Sequence, residues 1–365
     1  VRTVLSLLLA CVLPSCGHAA ASGPAPGPAT ARSRALRLPL RGPLAAADAE
    51  VSGLAWGPGA DGRPVLLLLA EEPLRFPDGT RTPLAALPRA QVVEAVRMQR
   101  AGGTAAGLEP QPVGWRVPPT LSARLTSSDT SGLEAVAVAG LRLAVAHEQG
   151  GEGGDTLLLE GRLVVLDGRL TARFARARTL APPPLPAAAA GDAAARHAVR
   201  HNKSYEALVA TAHGWLALYE CGGAVHVQGR GVAPVPMPRI PYRVTDATAP
   251  EADGRFWVLD YHFRGRECLP MDEDLARDQA AGGTPLGGEH IERLLALRLE
   301  GDRPVRTADA PVWIALEAEP RNWEGAVRLV DRAHGLDGFL VVTDRYPVEA
   351  GGTILAYVPR TPEAP

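Results

Sequence analysis

Apolar residues in this chain come in short runs, and the runs fall in pairs separated by glycine, proline or aspartate. The pairs are 51–56 with 65–70, 132–138 with 141–146, the two halves of 202–223, 243–247 with 256–259, and 323–330 with 339–342. Runs this short, bounded by turn residues, predict strands and not helices. Asp61-Gly62, Asp253-Gly254 and Asp337-Gly338 lie between paired runs. Asp-Gly suits a tight hairpin, because the turn needs positive φ and glycine supplies it without strain. In 202–223 the turn is expected at His213-Gly214. A further run follows most hairpins, at 156–166, 224–228, 291–299 and 353–358. Three or four antiparallel strands repeated in tandem describe the blades of a propeller.

The expected fold is therefore all-β, a single β-propeller of about six blades. Five hairpins are explicit, and a degenerate sixth unit is expected within residues 92–125. Ala35-Leu-Arg-Leu-Pro-Leu40 has the character of a strand, and pairing it with the last blade would close the ring. Spacing between hairpins is uneven, so insertions are expected at 75–126, 181–201 and 264–289, with short helices at 90–99 and 187–199.

Composition narrows the function classes. Thirty-eight basic residues stand against 40 acidic ones, which gives no electrostatic case for nucleic acid or an anionic membrane surface. Lys203 is the only lysine. The first sixteen residues read as a lipoprotein-type signal: Arg2, an apolar segment over 4–13, then Leu13-Pro14-Ser15-Cys16 with Cys16 as the lipidated residue. The alternative is cleavage near Ala19-Ala20-Ala21, releasing a soluble secreted or periplasmic protein. Gly17 follows the cysteine, which favours an outer-membrane or cell-surface lipoprotein. Residues 17–34 then form an Ala/Pro/Gly-rich tether and 35–365 the propeller, touching the membrane through its lipid alone and expected to be a monomer. Export places the two remaining cysteines, Cys221 and Cys268, in an oxidising compartment, and a disulfide between them is expected.

Candidate chemistry comes from acids at the strand ends. Glu134 and Glu148, Glu206 and Glu220, and Asp246 and Asp260 are each fourteen residues apart. In a simple hairpin such pairs face each other, and opposed like charges are unfavourable unless something offsets them. With the first strand of each blade on the axis, Glu134, Glu206, Asp246 and Glu324 would gather at one mouth, with Asp260 and Asp344 beside them. Oxygen donors in that number suit a hard cation, Ca²⁺ first. The other reading is that each acid accepts backbone hydrogen bonds from a neighbouring blade or pairs with an arginine. Glu148 and Glu220 are candidate bases, and His147 and His262, beside closing acids, are candidate proton-transfer groups.

Other motifs exclude more than they suggest. Gly57-Pro-Gly-Ala-Asp-Gly62 has dinucleotide-loop spacing but leads into a strand. There is no G-x-S-x-G, and His147-Glu148 lacks the second histidine of a zincin helix.

Ser52-Gly53-Leu54 with Glu71-Glu72, Leu133-Glu134-Ala135 with Glu148, residues 202–208 with Glu220, Thr245-Asp246 with Leu259-Asp260, and Asn322-Trp-Glu-Gly325 with Thr343-Asp344 occur in order. As a set they resemble the phytase-like domain family described as "esterase-like activity of phytase". Leu259-Asp260-Tyr261 stands where that family has L-E-R, Thr343-Asp344-Arg345 where it has S-D-N, and Ala55 where the other hairpins carry an acid. The resemblance implies a Ca²⁺-assisted hydrolase of small-molecule esters or phosphoesters. The alternative is a non-catalytic propeller that binds a ligand or a protein partner at the cell envelope.

Overall fold

The structure is a computed structural model, and it describes residues 33–125, 132–149, 155–184, 203–263, 268, 290–315, 322–344 and 352–361. The signal and tether through residue 32, the expected helix at 187–199, Asn202 and Arg345 lie outside the described residues.

Five sheets of four or more strands, antiparallel apart from one short parallel edge pairing in each of two of them, make up the described β-structure. Their first strands are Val51–Pro58, Leu133–Ala139, Tyr205–Ala210, Arg243–Ala247 and Trp323–Asp331. Each of these touches the next, and the fifth touches the first, so they ring a common axis. The molecule is a β-propeller with five blades among the described residues, numbered here in chain order.

Closure comes from the N-terminal segment, as expected. Leu36–Leu38 pairs antiparallel with Leu355–Pro359 as the outermost strand of blade 5. Two residues earlier, Ser33–Arg34 pairs parallel with Val312–Ala315 at the edge of blade 4. One short segment thus ties the last two blades together.

Burial explains why the strands read as unbroken apolar runs. In Pro64–Arg75, Leu66 and Leu68 pack against blade 5, while Leu67 and Leu69 pack against blade 2. Alternate side chains of one strand therefore enter different cores. The same division recurs around the ring, giving one apolar cluster at each of the five blade junctions.

Three expectations need correction. Residues 92–125 hold no sixth blade: helix Arg89–Arg100 begins the segment and packs Val92, Val93 and Val96 into the blade 5–blade 1 core. Gln111–Pro112 then becomes the fourth strand of blade 1 and Gly114–Arg116 a parallel edge of blade 2. The fifth hairpin turns at Arg332–His334 and Gly335, whose φ is +62°, and not at Asp337-Gly338. Gly338 lies inside the second strand, where a Cβ would stand 2.4 Å from the Val358 carbonyl oxygen, so its glycine serves close packing. The paired acids, finally, do not face each other, for the reason given next.

The expected disulfide is present: Cys221 and Cys268 are bonded, with Cα atoms 5.1 Å apart. It joins the end of the second strand of blade 3 to the segment after the second strand of blade 4.

Candidate functional site: an acidic mouth on the propeller axis

Every inner strand carries a register break near its start. Residues on either side of the break pair with consecutive residues of the second strand, leaving one residue unpaired in a β-bulge. The bulged residues are Ser52, Glu134, Glu206, Thr245 and Glu324. A bulge re-aims its side chain and strengthens the local twist.

The hydroxyls at two of these positions act structurally. Ser52 donates to the Leu133 carbonyl of blade 2, and Thr245 donates to the Trp323 carbonyl of blade 5 at 2.7 Å. Each stitches its blade to the next, just ahead of that blade's bulged glutamate. At the other three positions the bulge presents a carboxylate.

A second set of equivalent positions lies on the second strands. The amides of Glu71, Glu148, Glu220 and Asp344 donate to the carbonyls of Glu50, Gly132, Ser204 and Asn322. In blade 4 the matching pair is Tyr261 with Arg243. Four blades thus place an acid at this position, and blade 4 places a tyrosine.

These two sets form one electrostatic cluster. Burial holds the Glu134 carboxyl well above the usual range, and Glu206, Glu71, Glu148 and Glu324 add to the rise. Glu206 is raised by burial and by Glu220 and Glu148. Glu324 is raised by burial and by Asp344, Glu71 and Glu206. Glu148 is pushed up to about 7, by burial first and Glu220 second. Seven carboxyls therefore share the mouth, and the cations that act on them are Arg243 and Lys203. Both engage the same residue: Lys203 Nζ lies 3.1 Å from Glu220 Oε1, and Arg243 pairs with that oxygen too. Gly132 makes room for the crowd, since a Cβ there would stand 2.7 Å from Glu134 Oε1 and 3.2 Å from Glu71 Oε2.

Beyond the acids the axis turns apolar. Leu54, Val136, Leu208, Ala247 and Val327 line a cavity of about 50 Å³ there. Trp56 and Arg328 are also part of its lining.

Two sequence-predicted ligands are not part of the cluster. Asp246 sits one residue past its bulge, and Asp260 one residue before the ring position of its strand. Asp246 Oδ1 accepts from the Ala247 amide and Oδ2 from the Ala326 amide, both at 2.7 Å, so it pins blade 4 to blade 5. Asp260 accepts from Arg293 at 2.8 Å and from the Tyr242 amide at 3.1 Å. The Arg293 guanidinium lies between the Tyr242 and Trp313 rings, 5.1 and 5.0 Å from their centroids. Both aspartates serve packing and hydrogen bonding, the second of the two readings given for the strand-end acids.

The histidines are placed poorly for proton transfer at the mouth. Burial pushes His147 down to about 4, which keeps it neutral near pH 7, and its Nδ1 lies 2.9 Å from Gln149 Nε2. His262 follows Tyr261 in its strand, hence faces the other side of the sheet, and packs on the Tyr242 ring at 5.1 Å.

Sequence reasoning missed Arg243, Tyr261, Asn322 and Glu292. Asn322 Nδ2 donates to Glu324 and, at 2.9 Å, to Asp344. Glu292, opposite Tyr261 and 2% exposed, has its carboxyl raised well above the usual range by burial. Asn322 and Tyr261 stood in the family motifs without a role, and no sequence signal marked Arg243 or Glu292, because the ring positions are set by bulges and not by counting.

The residues suit a hard cation in charge and donor type. Glu220 Oε2 and Asn322 Oδ1 are buried oxygens without a hydrogen-bond partner, and both belong to the mouth. Yet no three His, Cys, Asp or Glu side chains among the described residues are close enough to hold a metal ion as they stand.

No family model matches the chain, and no curated protein matches it in sequence. Among solved structures, a glucose dehydrogenase superimposes with a TM-score of 0.41 at 17% identity, over 87% of this chain and 98% of that one. A variant of the Synechocystis apocarotenoid oxygenase superimposes with a TM-score of 0.32 at 13% identity, over 85% of this chain and 60% of that one. At these scores and identities nothing about chemistry transfers, and the propeller assignment rests on the chain's own five sheets.

Proposed function

We propose that this protein is a propeller that binds a divalent cation, Ca²⁺ first, at the acidic mouth, and uses it to act on an ester or phosphoester of a small molecule. One observation carries the proposal: among the described residues, seven carboxyls from blades 1, 2, 3 and 5 converge on one mouth with two cations against them. Like charges are not gathered in a fold at several positions without a compensating partner. Glu134, Glu206, Glu324 and Asp344 are the nearest ligands in this reading, with Glu71 added to those foreseen.

A bound cation of this kind polarises a carbonyl or phosphoryl oxygen and orients water. Glu148 suits the role of base, because a carboxyl that titrates near 7 can accept a proton from water at neutral pH. Glu220, engaged by Lys203 and Arg243, is better placed to hold those two side chains than to act as the base. The resemblance to the phytase-like family supports this reaction class, and the leading residues support export as a lipoprotein.

A second reading has its own support. Arg243 and Lys203 are already engaged by Glu220, so among the described residues of the mouth neither stands ready as a cationic clamp for phosphate. That favours a cation-dependent binding module for a ligand or envelope protein. Calorimetric titration of the metal-stripped protein with CaCl₂, followed by assays on p-nitrophenyl phosphate and short acyl esters, separates the cases. Saturable heat with calcium-dependent turnover supports the hydrolase, heat without turnover supports the binding module, and no heat removes both.

A further inference from the structure

The face of blade 2 that looks toward blade 3 carries a row of arginines at the end of its strands remote from the mouth. Arg142 pairs with Arg162, Arg162 with Arg173, and Arg173 with Arg116, so one arginine from each of four neighbouring strands stands side by side. All four are exposed. Neighbouring strands lie about 4.8 Å apart, which spreads the row over about 14 Å. Like charges placed directly opposite one another destabilise a sheet.

The fold does not neutralise the row. Arg142 rests on the Trp215 ring, 5.3 Å from its centroid, and donates to the Thr211 carbonyl at 3.4 Å. Arg116, Arg162 and Arg173 have no ion pair or hydrogen bond among the described residues. Glu160, next along this face from Arg162, is already taken by Arg176 and Arg178 at 3.1 and 2.8 Å. The facing turns of blade 3, 211–214 and 228–231, contain no acid and add Arg230. Asp167, in the turn between the two outer strands, sets a single negative charge against the row.

The acids of the mouth are too distant to help. Glu148 and Arg142 stand at opposite ends of one strand, about 20 Å apart, whereas physiological salt screens charges over about 8 Å. The near-neutral total of 38 basic residues against 40 acidic ones therefore hides two ends of opposite sign on this blade.

The turns beside the row are apolar. Leu141, Val165 and Leu166 are 47, 50 and 39% exposed. Leu141 precedes Arg142, and Val165 and Leu166 close the strand that holds Arg162. Exposed aliphatic side chains beside unpaired arginines match a layer of phosphates over hydrocarbon. Guanidinium groups grip phosphate oxygens in pairs, and the aliphatic tips enter the boundary beneath them. A nucleic acid or an acidic peptide would use the arginines and leave the leucines and valine in water.

We propose that this edge of blade 2 docks on an anionic lipid surface. The proposal is independent of the cation reading. Docking at this end of the strands aims the acidic mouth away from the lipid and leaves it open to solvent.

The test is flotation in EGTA of the full chain carrying Cys16→Ser, so that no lipid anchor contributes, with vesicles of phosphatidylcholine alone or with about 30% phosphatidylglycerol. The readout is the excess of binding to the anionic vesicles over the neutral ones. With the row intact that excess should be present and should vanish in about 0.5 M NaCl. Arg162→Gln/Arg173→Gln should weaken binding to the anionic vesicles about tenfold or more. Val165→Ser/Leu166→Ser should weaken it about threefold or more while keeping its salt dependence. Arg75→Gln/Arg97→Gln removes the same charge from exposed positions elsewhere and should leave it unchanged. Equal losses in the two arginine pairs would overturn the proposal by showing total charge at work. So would the absence of any excess on anionic vesicles, whether or not the protein then binds a single-stranded oligonucleotide or polyglutamate through Arg162 and Arg173.

Discussion

In blade 3, Glu206 occupies the bulge of the inner strand and Glu220 the ring position of its neighbour, and both carboxyls enter the crowded mouth. In blade 4, Asp246 and Asp260 are separated by the same number of residues, but each is one residue out of place, and both are saturated by amides or Arg293. Identical spacing has produced a functional candidate in one blade and structural ties in the next. The difference lies in local register: a bulge changes which residue points where without changing the distance between residues. Blade 4 then contributes an arginine and a tyrosine to the mouth where the others contribute acids.

The contrast is broken most forcefully at Asp246. Asp246→Ala leaves two buried amides in blades 4 and 5 without acceptors and should cost about 4 kcal/mol of stability, read as a lower urea midpoint. A loss below about 1 kcal/mol would show that these amides find other partners and that the tie is weak. Next comes Arg293→Met, which strands Asp260 in the interior and should cost about 3 kcal/mol.

Blade 3 should behave in the opposite way. Glu206→Gln in the metal-free protein removes one of several buried like charges and should raise stability by about 1 kcal/mol. A loss of that size in EGTA would mean that the Glu206 charge is already balanced within the fold.

The smallest effect is a pH dependence. Native Glu148 keeps its proton up to about pH 7, whereas in the unfolded chain it ionises near 4.5. Between those values the native state binds more protons, so stability falls as pH rises. The contribution is complete below 4.5 and lost through pH 7. In metal-free protein, the urea midpoint should therefore decline over this window, and Glu148→Gln should flatten the decline.

Much of this architecture was legible in the chain. Paired apolar runs gave the hairpins, residues 35–40 gave the closing strand, and the two cysteines gave the bond, because burial on both sheet faces and thiol pairing act through residue type. Asp61-Gly62 and Asp253-Gly254 marked real turns, with φ of +78° and +79° at the glycines. Asp337-Gly338 misled, since glycine there answers to the Val358 carbonyl and not to a turn. The mouth was legible only in outline. Ser52, and not Ala55, is the blade 1 counterpart of Glu134, and Thr245, and not Asp246, is that of blade 4. Such one-residue shifts arise from inter-blade hydrogen bonds that spacing along one chain does not register. Arg243 was invisible for the same reason, its partners lying in other blades.

The central claim is that the mouth carries excess negative charge for a divalent cation to neutralise. It is tested most directly by the melting temperature of wild type and a Glu134→Gln/Glu324→Gln variant, each in EGTA and in CaCl₂ at pH 7.5. Saturating calcium should raise the wild-type value by about 2–4 °C, as expected for a ligand near a hundred times its dissociation constant, and should leave the variant unmoved. A wild-type melting temperature that is the same in EGTA and in calcium would contradict the account.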